Sequence, residues 1–293
     1  MKSVATEIIS QPQARGPWRE AWTVFIRNRA AVLGLGIFGL IALLLLLGPF
    51  VYPVDPFDIT GMPMSPPGTE GAPLGTDYIG RDILAGIVTG GRPTMLVGFC
   101  AALITAFIGI TVGALSGYYG RGVAAVLGRV VEFFQVLPAL LFAMVLITLF
   151  SASLLTVTVA IGVVAWPGMA RLTRAEFLRI KQLDFVRAAR SIGASDWRII
   201  VLTILPNAMP PIMVSATLAT GTAILFEAGL SFLVLTDPNV MSWGLMIGSS
   251  RNYLREAWWA VTFPGMCIFL TVLAISLVGD GLNDAFNPKL RHR

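Results

Sequence analysis

The stretch 171–207, RLTRAEFLRIKQLDFVRAARSIGASDWRIIVLTILPN, is a polar and basic interruption between two long apolar segments of the chain. It predicts two short helices with a hinge between them. Asp184 is positioned to cap a helix over residues 185–192, and Gly193 supplies a left-handed residue that ends it. Ser195 is positioned to cap a second helix, which Pro206 ends or kinks.

The first of these helices is amphipathic. Its expected apolar face consists of Phe185, Val186, Ala188, Ala189 and Ile192, with Arg187 and Arg190 on the other side. The small alanine pair would let another backbone come close. A face of this kind fits either a docking surface for a partner protein or a basic surface loop that lies on lipid headgroups.

The composition indicates an integral membrane protein. Hydrophobic residues make up 56% of the chain and charged residues 13%, with a mean hydropathy of +0.78, whereas soluble domains carry about 25% charged residues. The 293 residues leave room for roughly six spans of about 20 residues. The net charge of +5 then indicates loops that face an anionic membrane surface, and no nucleic-acid partner is expected.

Several kinds of chemistry are not expected from this sequence. Cys100 and Cys267 lie inside apolar segments, where cysteine behaves as a small hydrophobe, so neither a disulfide nor a metal site is indicated. The single histidine, His292, is in the C-terminal tail. No glycine-rich phosphate loop of the P-loop kind occurs, so the chain has no recognisable ATP site. We therefore expect no catalytic site and no cofactor.

Six apolar segments predict transmembrane helices, at residues 31–51, 93–118, 130–150, 154–170, 208–226 and 259–278. Residues 1–30 form an N-terminal tail, and 31–290 form the transmembrane domain with mixed polar segments at 53–92 and 227–258. Trp18, Trp22 and Phe25 have helical spacing in the tail. They fit a helix in the membrane interface or one packed on a partner.

The distribution of positive charge predicts the orientation. Of 21 lysines and arginines, all but Arg81, Arg92, Arg251 and Arg255 fall at the termini or in the loops after the second and fourth segments. Positive charge is concentrated on cytoplasmic loops. Both termini and the stretch 171–207 are therefore expected in the cytoplasm, with 53–92 and 227–258 outside.

Ala188-Ala189-x3-Gly193, followed by Leu205-Pro206, resembles the "EAA" loop of bacterial ATP-binding-cassette (ABC) importer permeases. The segment Gly75-Thr76-Asp77-x2-Gly80-Arg81-Asp82 is similar to the first external segment of dipeptide and oligopeptide importer permeases. Further similarities to the second-permease type of dipeptide, oligopeptide and nickel importers are Trp166-Pro-x2-Ala170-Arg171, Glu227-Ala-Gly-Leu-Ser-Phe-Leu233, Ser242-Trp243-Gly244, Trp258-Trp259 and Gly279-Asp280-Gly281-Leu282-x-Asp284. One departure is Arg187, which stands where the family has glutamate.

The resemblance implies an all-α type I ABC importer permease in a bacterial inner membrane. It would have no chemistry of its own and would form half of a translocation path beside a second homologous permease. Two cytoplasmic ABC ATPase subunits, an external solute-binding protein and membrane lipid would be its other partners. The ATPase-coupling residues implied are Asp184, Phe185, Arg187, Ala188, Ala189, Arg190, Gly193 and Ala194. Peptides are the expected substrate, with nickel chelates, glutathione or other small solutes as alternatives.

Polar residues inside spans often face a cavity or the interior of a helix bundle. On this ground the candidates for the path are Asn207, Ser215, Thr217, Thr220 and Thr222. The alternative for each hydroxyl is a local hydrogen bond to the preceding helical turn. Glu227 and Asp280, at predicted span ends, fit capping or interfacial ion pairs better than a coupling-ion site.

Two other classes of function fit the sequence less well than a permease does. A secondary transporter or channel without ATP should show ionisable residues at mid-span or inverted repeats, and the sequence shows neither. A membrane scaffold without transport gives no reason for a small-residue hinge at 188–193.

Overall fold

A computed structural model describes the backbone of residues 17–286 and the side chains from residue 21 onward. The described chain is all-helical, with three isolated β-bridges and no β-sheet. Its helices are α1 Pro17–Arg27, α2 Arg29–Val51, α3 Ile83–Tyr119, α4 Arg121–Val136, α5 Ala139–Phe150, α6 Leu154–Ile180, α7 Asp184–Ser191, α8 Asp196–Arg198, α9 Leu205–Phe232, α10 Trp243–Ser250 and α11 Trp259–Phe286.

Five helical segments are long and apolar enough to cross a membrane. They are α2, α3, α6, the continuous helix Asp196–Phe232 that contains α8 and α9, and α11. The pair α4 and α5 makes a sixth span if the two are counted together. The expected all-helical membrane fold with about six spans is confirmed.

The third predicted span, 130–150, is not one straight helix. The structure breaks it before Ala139, and α4 and α5 meet at an angle of 88°. Pro138 takes an extended backbone at the break because proline lacks the N–H that a continuing helix requires. The amphipathic α4 is therefore a separate helix from α5, which the apolar composition of residues 130–150 did not reveal.

The helices also extend beyond the predicted spans. Helix α3 begins at Ile83, where Asp82 accepts a hydrogen bond from the Ala85 N–H, rather than near Pro93. Helix α6 continues to Ile180 instead of ending at Ala170. The added turns of α3 are buried against the rest of the chain, with Ile83, Ile87 and Val88 at most 4% exposed. Those of α6 are amphipathic, with Phe177 and Ile180 buried and Arg179 exposed, so a polar stretch hides helical turns that pack on protein. The polar stretch 171–207 consequently shrinks to a hinge loop, which we define as residues 181–195.

Close packing of α3 against α6 forms the centre of the bundle. Gly109, Gly113 and Gly117 lie one turn apart on α3, and a Cβ at Gly113 would lie 2.5 Å from the Ala170 carbonyl oxygen. Small residues at this spacing let two membrane helices approach closely, where dispersion contacts hold them. Helix α3, with 37 residues, thereby spans about 55 Å as the central rod.

Helix α1 rests on the end of α11. Ala21 and Phe25 are buried in a cluster with Ala31 and Ala285, while Trp22 is exposed and stacks on Phe25. The side chain of Trp18 lies outside the described residues. The inner face of this helix packs on α11 of this chain, and both the position in the membrane interface and the contact with a partner stay predictions.

Pro206 does not end the helix that contains it. Residues Ile199–Ile204 form a π-helical segment in which the Leu205 N–H bonds to the Ile200 carbonyl, and α9 follows directly. A π turn holds one extra residue, and such bulges accommodate local interruptions inside an α-helix. The continuous helix from Asp196 to Phe232 therefore joins the hinge loop to the far end of the bundle.

Candidate functional site

The hinge loop is built around α7 and a left-handed glycine. Gly193 has φ +79°, its N–H bonds to the Arg190 carbonyl at 3.0 Å, and the Ala194 N–H bonds to the Ala189 carbonyl at 3.1 Å. These two bonds form a Schellman motif, which ends a helix with a sharp reversal. The predicted stop at Gly193 is therefore observed.

The predicted cap at the other end of α7 is wrong. Leu183 occupies the N-cap position, and Asp184 lies inside the first turn, where its carboxylate makes an exposed ion pair with Arg187 at 3.5 Å. An acidic residue there still interacts favourably with the N-terminal end of the helix dipole. Ser195 does occupy the N-cap position of α8, although its side chain makes no capping hydrogen bond.

Replacing Gly193 by valine should destabilise the hinge loop through backbone strain alone. A Cβ at this position would meet nothing within 4 Å, so no clash contributes. The left-handed conformation costs a β-branched residue on the order of 1–2 kcal/mol. We expect a lowered melting temperature for Gly193→Val and a smaller loss for Gly193→Asn. Gly122→Val is the control, since Gly122 also has open space but no positive φ; an equal loss in that variant would contradict the strain argument.

One tyrosine anchors the hinge loop to α3. The Tyr118 hydroxyl donates to Asp196 Oδ1 at 2.5 Å, and the Tyr118 carbonyl accepts from Lys181 Nζ. Arg190 reaches the same hydroxyl at 3.4 Å, and its guanidinium carbon lies 5.7 Å from the ring centroid. Lys181 begins the hinge loop and Asp196 directly follows it, so both ends of the loop are tied to the last turn of α3. Tyr118 itself is buried.

The two apolar faces of α7 have different surroundings. Val186 is 1% exposed, and it packs with Ala189 and Ala194 against a buried cluster of this chain that includes Ile199. Phe185, Ala188 and Ile192 point the other way, with Phe185 44% and Ile192 85% exposed. The single apolar face predicted from the sequence is therefore two faces, of which one is covered. We call Phe185, Ala188 and Ile192 the outer face of α7.

An exposed arginine and an exposed tryptophan lie close in sequence to this outer face. Arg187 is exposed, and besides its ion pair it donates to the Gln182 carbonyl at 2.8 Å. Trp197, just beyond the hinge loop, is exposed as well. An exposed apolar patch bordered by arginines is typical of a protein–protein contact.

The five candidate path residues do not share one face of α9. Ser215 and Thr222 are seven residues apart, about two turns, and so lie on the same side of the helix. Thr217 and Thr220 lie on the opposite side and line an apolar cavity of about 340 Å3 between α2, α3 and α11. Asn207 and Thr222 are exposed. The structure therefore separates Thr217 and Thr220, which line this pocket, from Ser215 and Thr222 on the other side of the helix.

Local hydrogen bonds occupy most of these polar groups. Each hydroxyl of Thr217, Thr220 and Thr222 donates to the carbonyl four residues earlier, at 2.9–3.1 Å. The Asn207 side chain does the same to Thr203 at 2.7 Å. The local alternative weighed for these residues is thus realised, although a hydroxyl bonded in this way still presents a polar surface.

Glu227 is buried within the bundle rather than placed at an interface. It is 3% exposed, its Oε1 accepts from the Ser231 hydroxyl at 2.6 Å, and its Oε2 has no partner. Ser231 is in turn hydrogen-bonded to Thr236 and Ser242. The expected interfacial ion pair is therefore absent among the described residues. Asp280, by contrast, is exposed on α11.

A family model described as "Binding-protein-dependent transport system inner membrane component" matches residues 109–292, more than half of the chain. The chain belongs to this family. A second model, "N-terminal TM domain of oligopeptide transport permease C", matches residues 16–67. With its apolar helices, this binding-protein-dependent transport component is a multi-pass inner-membrane protein.

Named relatives of this transport component are similar over nearly their full length. The di/tripeptide transport system permease protein DppC of Pseudomonas aeruginosa is 38% identical over 283 residues, covering 94% of this chain and 93% of the relative. The dipeptide transport system permease protein DppC of Haemophilus influenzae is 37% identical, covering 94% and 96%. The glutathione transport system permease protein GsiD of Pectobacterium atrosepticum is 35% identical, covering 97% and 95%.

A solved structure supports the fold. A chain of the MetNI methionine ABC transporter, in an inward-facing conformation, matches with a TM-score of 0.58 and 22% sequence identity. The match covers 67% of this transport component and 93% of that chain. The expected permease fold is confirmed.

Sequence reasoning missed the residues that hold the hinge loop in place. Tyr118 lies more than 60 residues before the loop, and Asp196 and Lys181 read as ordinary surface charges. The one available signal was the position of Tyr118 at the end of the second predicted span, since a buried tyrosine usually has a polar partner for its hydroxyl.

Proposed function

We propose that this chain is the permease subunit of an ABC importer for peptides and that the hinge loop is its coupling element. The observation that carries the proposal is the outer face of α7, an exposed apolar surface at the end of a rigidly anchored loop. Nothing in the described part of the chain covers this face. It fits a groove on a cytoplasmic ATPase subunit.

The resemblance to ABC importer permeases implies the remaining partners. A second homologous permease would complete the translocation path, two ATPase subunits would bind and hydrolyse ATP, and an external solute-binding protein would deliver the substrate. The chain itself would be non-catalytic, and both of its termini would lie in the cytoplasm with the hinge loop.

Coupling would use two long helices that leave the hinge loop. Asp196–Phe232 begins directly after it, and α3 is tied to it through Tyr118. Each contains 37 residues, about 55 Å of helix. When ATP closes the ATPase subunits and displaces α7, both helices would therefore move as rigid bodies. Alternating access requires a rigid-body movement of this kind.

The outward residues of α9 are the better candidates for the path. Asn207 and Thr222 are exposed, and Ser215 is half-buried on the same side of the helix as Thr222, where a second permease would pack across a polar channel. Thr217 and Thr220 line the apolar pocket between α2, α3 and α11. We therefore propose the first three as path-lining residues and assign the other two to packing within the subunit.

A peptide substrate is supported by the names of the relatives. They are described as dipeptide, di/tripeptide and glutathione permeases, and glutathione is itself a small peptide. Nickel chelates and other small solutes stay as alternatives.

The experiment is to express the chain with the partners named above, purify through a tag on this chain, and reconstitute the product in liposomes. We expect an ATPase to co-purify and labelled dipeptide to enter only when ATP and the binding protein are both supplied. Uptake without ATP, or a purified chain that associates with no ATPase, would refute the proposal.

Arg187→Glu, which introduces the glutamate of the "EAA" pattern, should be tolerated. The Arg187 and Asp184 side chains are both largely exposed, and exposed ion pairs contribute little to stability. We expect uptake to stay within about twofold of the wild type, measured in the same liposomes. A tenfold fall would indicate that Arg187 itself contacts the ATPase.

A further inference from the structure

A second site lies at the opposite end of α3 from the hinge loop. A cavity of about 230 Å3 opens between the turn 77–82, the start of α3, and α10 with the segment before it. Its polar lining consists of Asp77, Tyr78, Arg81, Asp82, Ser249 and Ser250. Since α3 runs from this cavity to Tyr118, the cavity and the hinge loop are on opposite sides of the membrane.

The Arg81 guanidinium is unpaired in the described part of the chain. It forms no ion pair and donates no hydrogen bond, and its Nε is shielded from solvent without a partner. Its one defined contact is the ring of Phe57, whose centroid lies 5.1 Å from the guanidinium carbon. Arginine has five donor N–H groups in a planar fork suited to a carboxylate. A guanidinium held in place with all five unused is prepared for a ligand.

The neighbouring carboxylates do not serve as its partners. Asp77 Oδ1 accepts from the backbone N–H groups of Ile79 and Arg81, at 2.9 and 2.8 Å. Asp82 is fully engaged, because Oδ1 caps α3 and Oδ2 accepts from the Tyr52 hydroxyl at 2.6 Å. The second oxygen of Asp77, Oδ2, accepts no hydrogen bond from the described residues. The cavity thus presents one unpaired cation and one free carboxylate oxygen.

The walls of the cavity are rigid. Trp259 donates from Nε1 to the Thr76 carbonyl at 3.0 Å, and the Tyr78 ring stacks on Tyr253 with centroids 5.0 Å apart. Burial and the adjacent Asp82 raise the pKa of Tyr52 to about 12, so its hydroxyl remains a donor at physiological pH. Arg81 and Asp77 are therefore held in fixed positions before any ligand arrives, which lowers the entropic cost of binding.

We propose that this cavity binds a small peptide by its two charged ends, with the carboxylate on Arg81 and the ammonium group at Asp77. The proposal rests on peptide import as the function. Drug-sized ligands occupy pockets of roughly 300–1,000 Å3, so 230 Å3 fits a ligand no larger than a short peptide. An acidic side chain of a docked binding protein would satisfy Arg81 but would leave Asp77 Oδ2 without a cation. The zwitterion accounts for both groups.

The test combines changes in the site with changes in the ligand. The assembled transporter in lipid nanodiscs, without binding protein, is titrated with L-alanyl-L-alanine, its C-terminal amide and its N-acetyl derivative. We expect Arg81→Gln to weaken binding of the free dipeptide by about tenfold or more, as for loss of a charge-assisted hydrogen bond, and to leave the amide unaffected. Asp77→Asn, which keeps an acceptor oxygen for the backbone, should weaken binding of the dipeptide but not of the N-acetyl derivative.

Two variants control for folding. Arg81→Lys keeps the charge and should retain preference for the acid over the amide. Arg255→Gln removes an exposed arginine that does not line the cavity and should change nothing.

The outcomes separate this proposal from the proposed function. If Arg81→Gln shifts all three ligands equally, or none, the cavity does not read the carboxylate. If the wild-type transporter binds no dipeptide, the proposal is overturned, and a loss of binding-protein affinity in Arg81→Gln would assign the carboxylate to that protein instead. In each case ATP-driven peptide uptake by the wild type continues. Absence of that uptake would refute the proposed function itself.

Discussion

Replacing Ile192 by aspartate should abolish ATP-driven uptake while the permease folds and inserts normally. Ile192 is 85% exposed, so the new carboxylate remains in water and costs the free subunit little. If the outer face of α7 docks on an ATPase, the same carboxylate is buried there without a cation. The affinity for the ATPase should fall by at least about tenfold. The measurement is the amount of ATPase that co-purifies with the tagged permease, together with uptake.

The control places the same carboxylate elsewhere in the hinge loop. Gln182 is exposed and lies before α7, and its side chain forms no hydrogen bond with the described residues. Gln182→Asp should retain the ATPase and transport. Normal co-purification and uptake by Ile192→Asp would show that this residue lies outside the contact.

The broad fold could be predicted because its signals are local. Long apolar segments must be helical in lipid, since every backbone polar group there needs an internal partner. Gly193 was also predictable, because a glycine after an amphipathic segment is the usual left-handed helix end. The structure confirms both features.

The departures arise where distant parts of the chain decide. No residue near Pro138 distinguishes a kinked span from two helices that meet at 88°. The angle depends on how α4 and α5 pack against α6, which is distant from α4 in the sequence. Glu227 was expected at an interface because hydropathy falls at the end of a span. Its hydroxyl partner Ser231 accepts in turn from Ser242, which comes from the segment after the helix end.

The two candidate sites show the same division. The hinge loop was visible as a motif, but Tyr118, which holds it, is separated from Asp196 by 78 residues. For the second site, Asp77 and Arg81 belong to a motif noted in the sequence, whereas Ser249 and Ser250 come from α10. A sequence identifies residue types suited to a ligand, but which side chains remain unpaired depends on tertiary contacts.

Ala188 and Ala189 provide the sharpest separation of docking from folding, because one substitution can be placed on each face of the same helix. Ala189 packs against the buried cluster of this chain, while Ala188 is exposed on the outer face. Ala189→Asp should destabilise the hinge loop of the free subunit by on the order of 2 kcal/mol, since it inserts a carboxylate among apolar side chains.

Ala188→Asp should leave the melting temperature of the purified permease unchanged, yet lose the ATPase as Ile192→Asp does. Ala189→Asp should lower that temperature and also lose uptake, because α7 can no longer be held in place to transmit force. Neither alanine lies in a predicted span, so both variants should reach the membrane at near-normal levels. Thermal unfolding of the detergent-purified subunit, alongside uptake in liposomes, gives the two readouts. Equal melting temperatures for the two variants, with transport intact in Ala189→Asp, would mean that the hinge loop is not the coupling element.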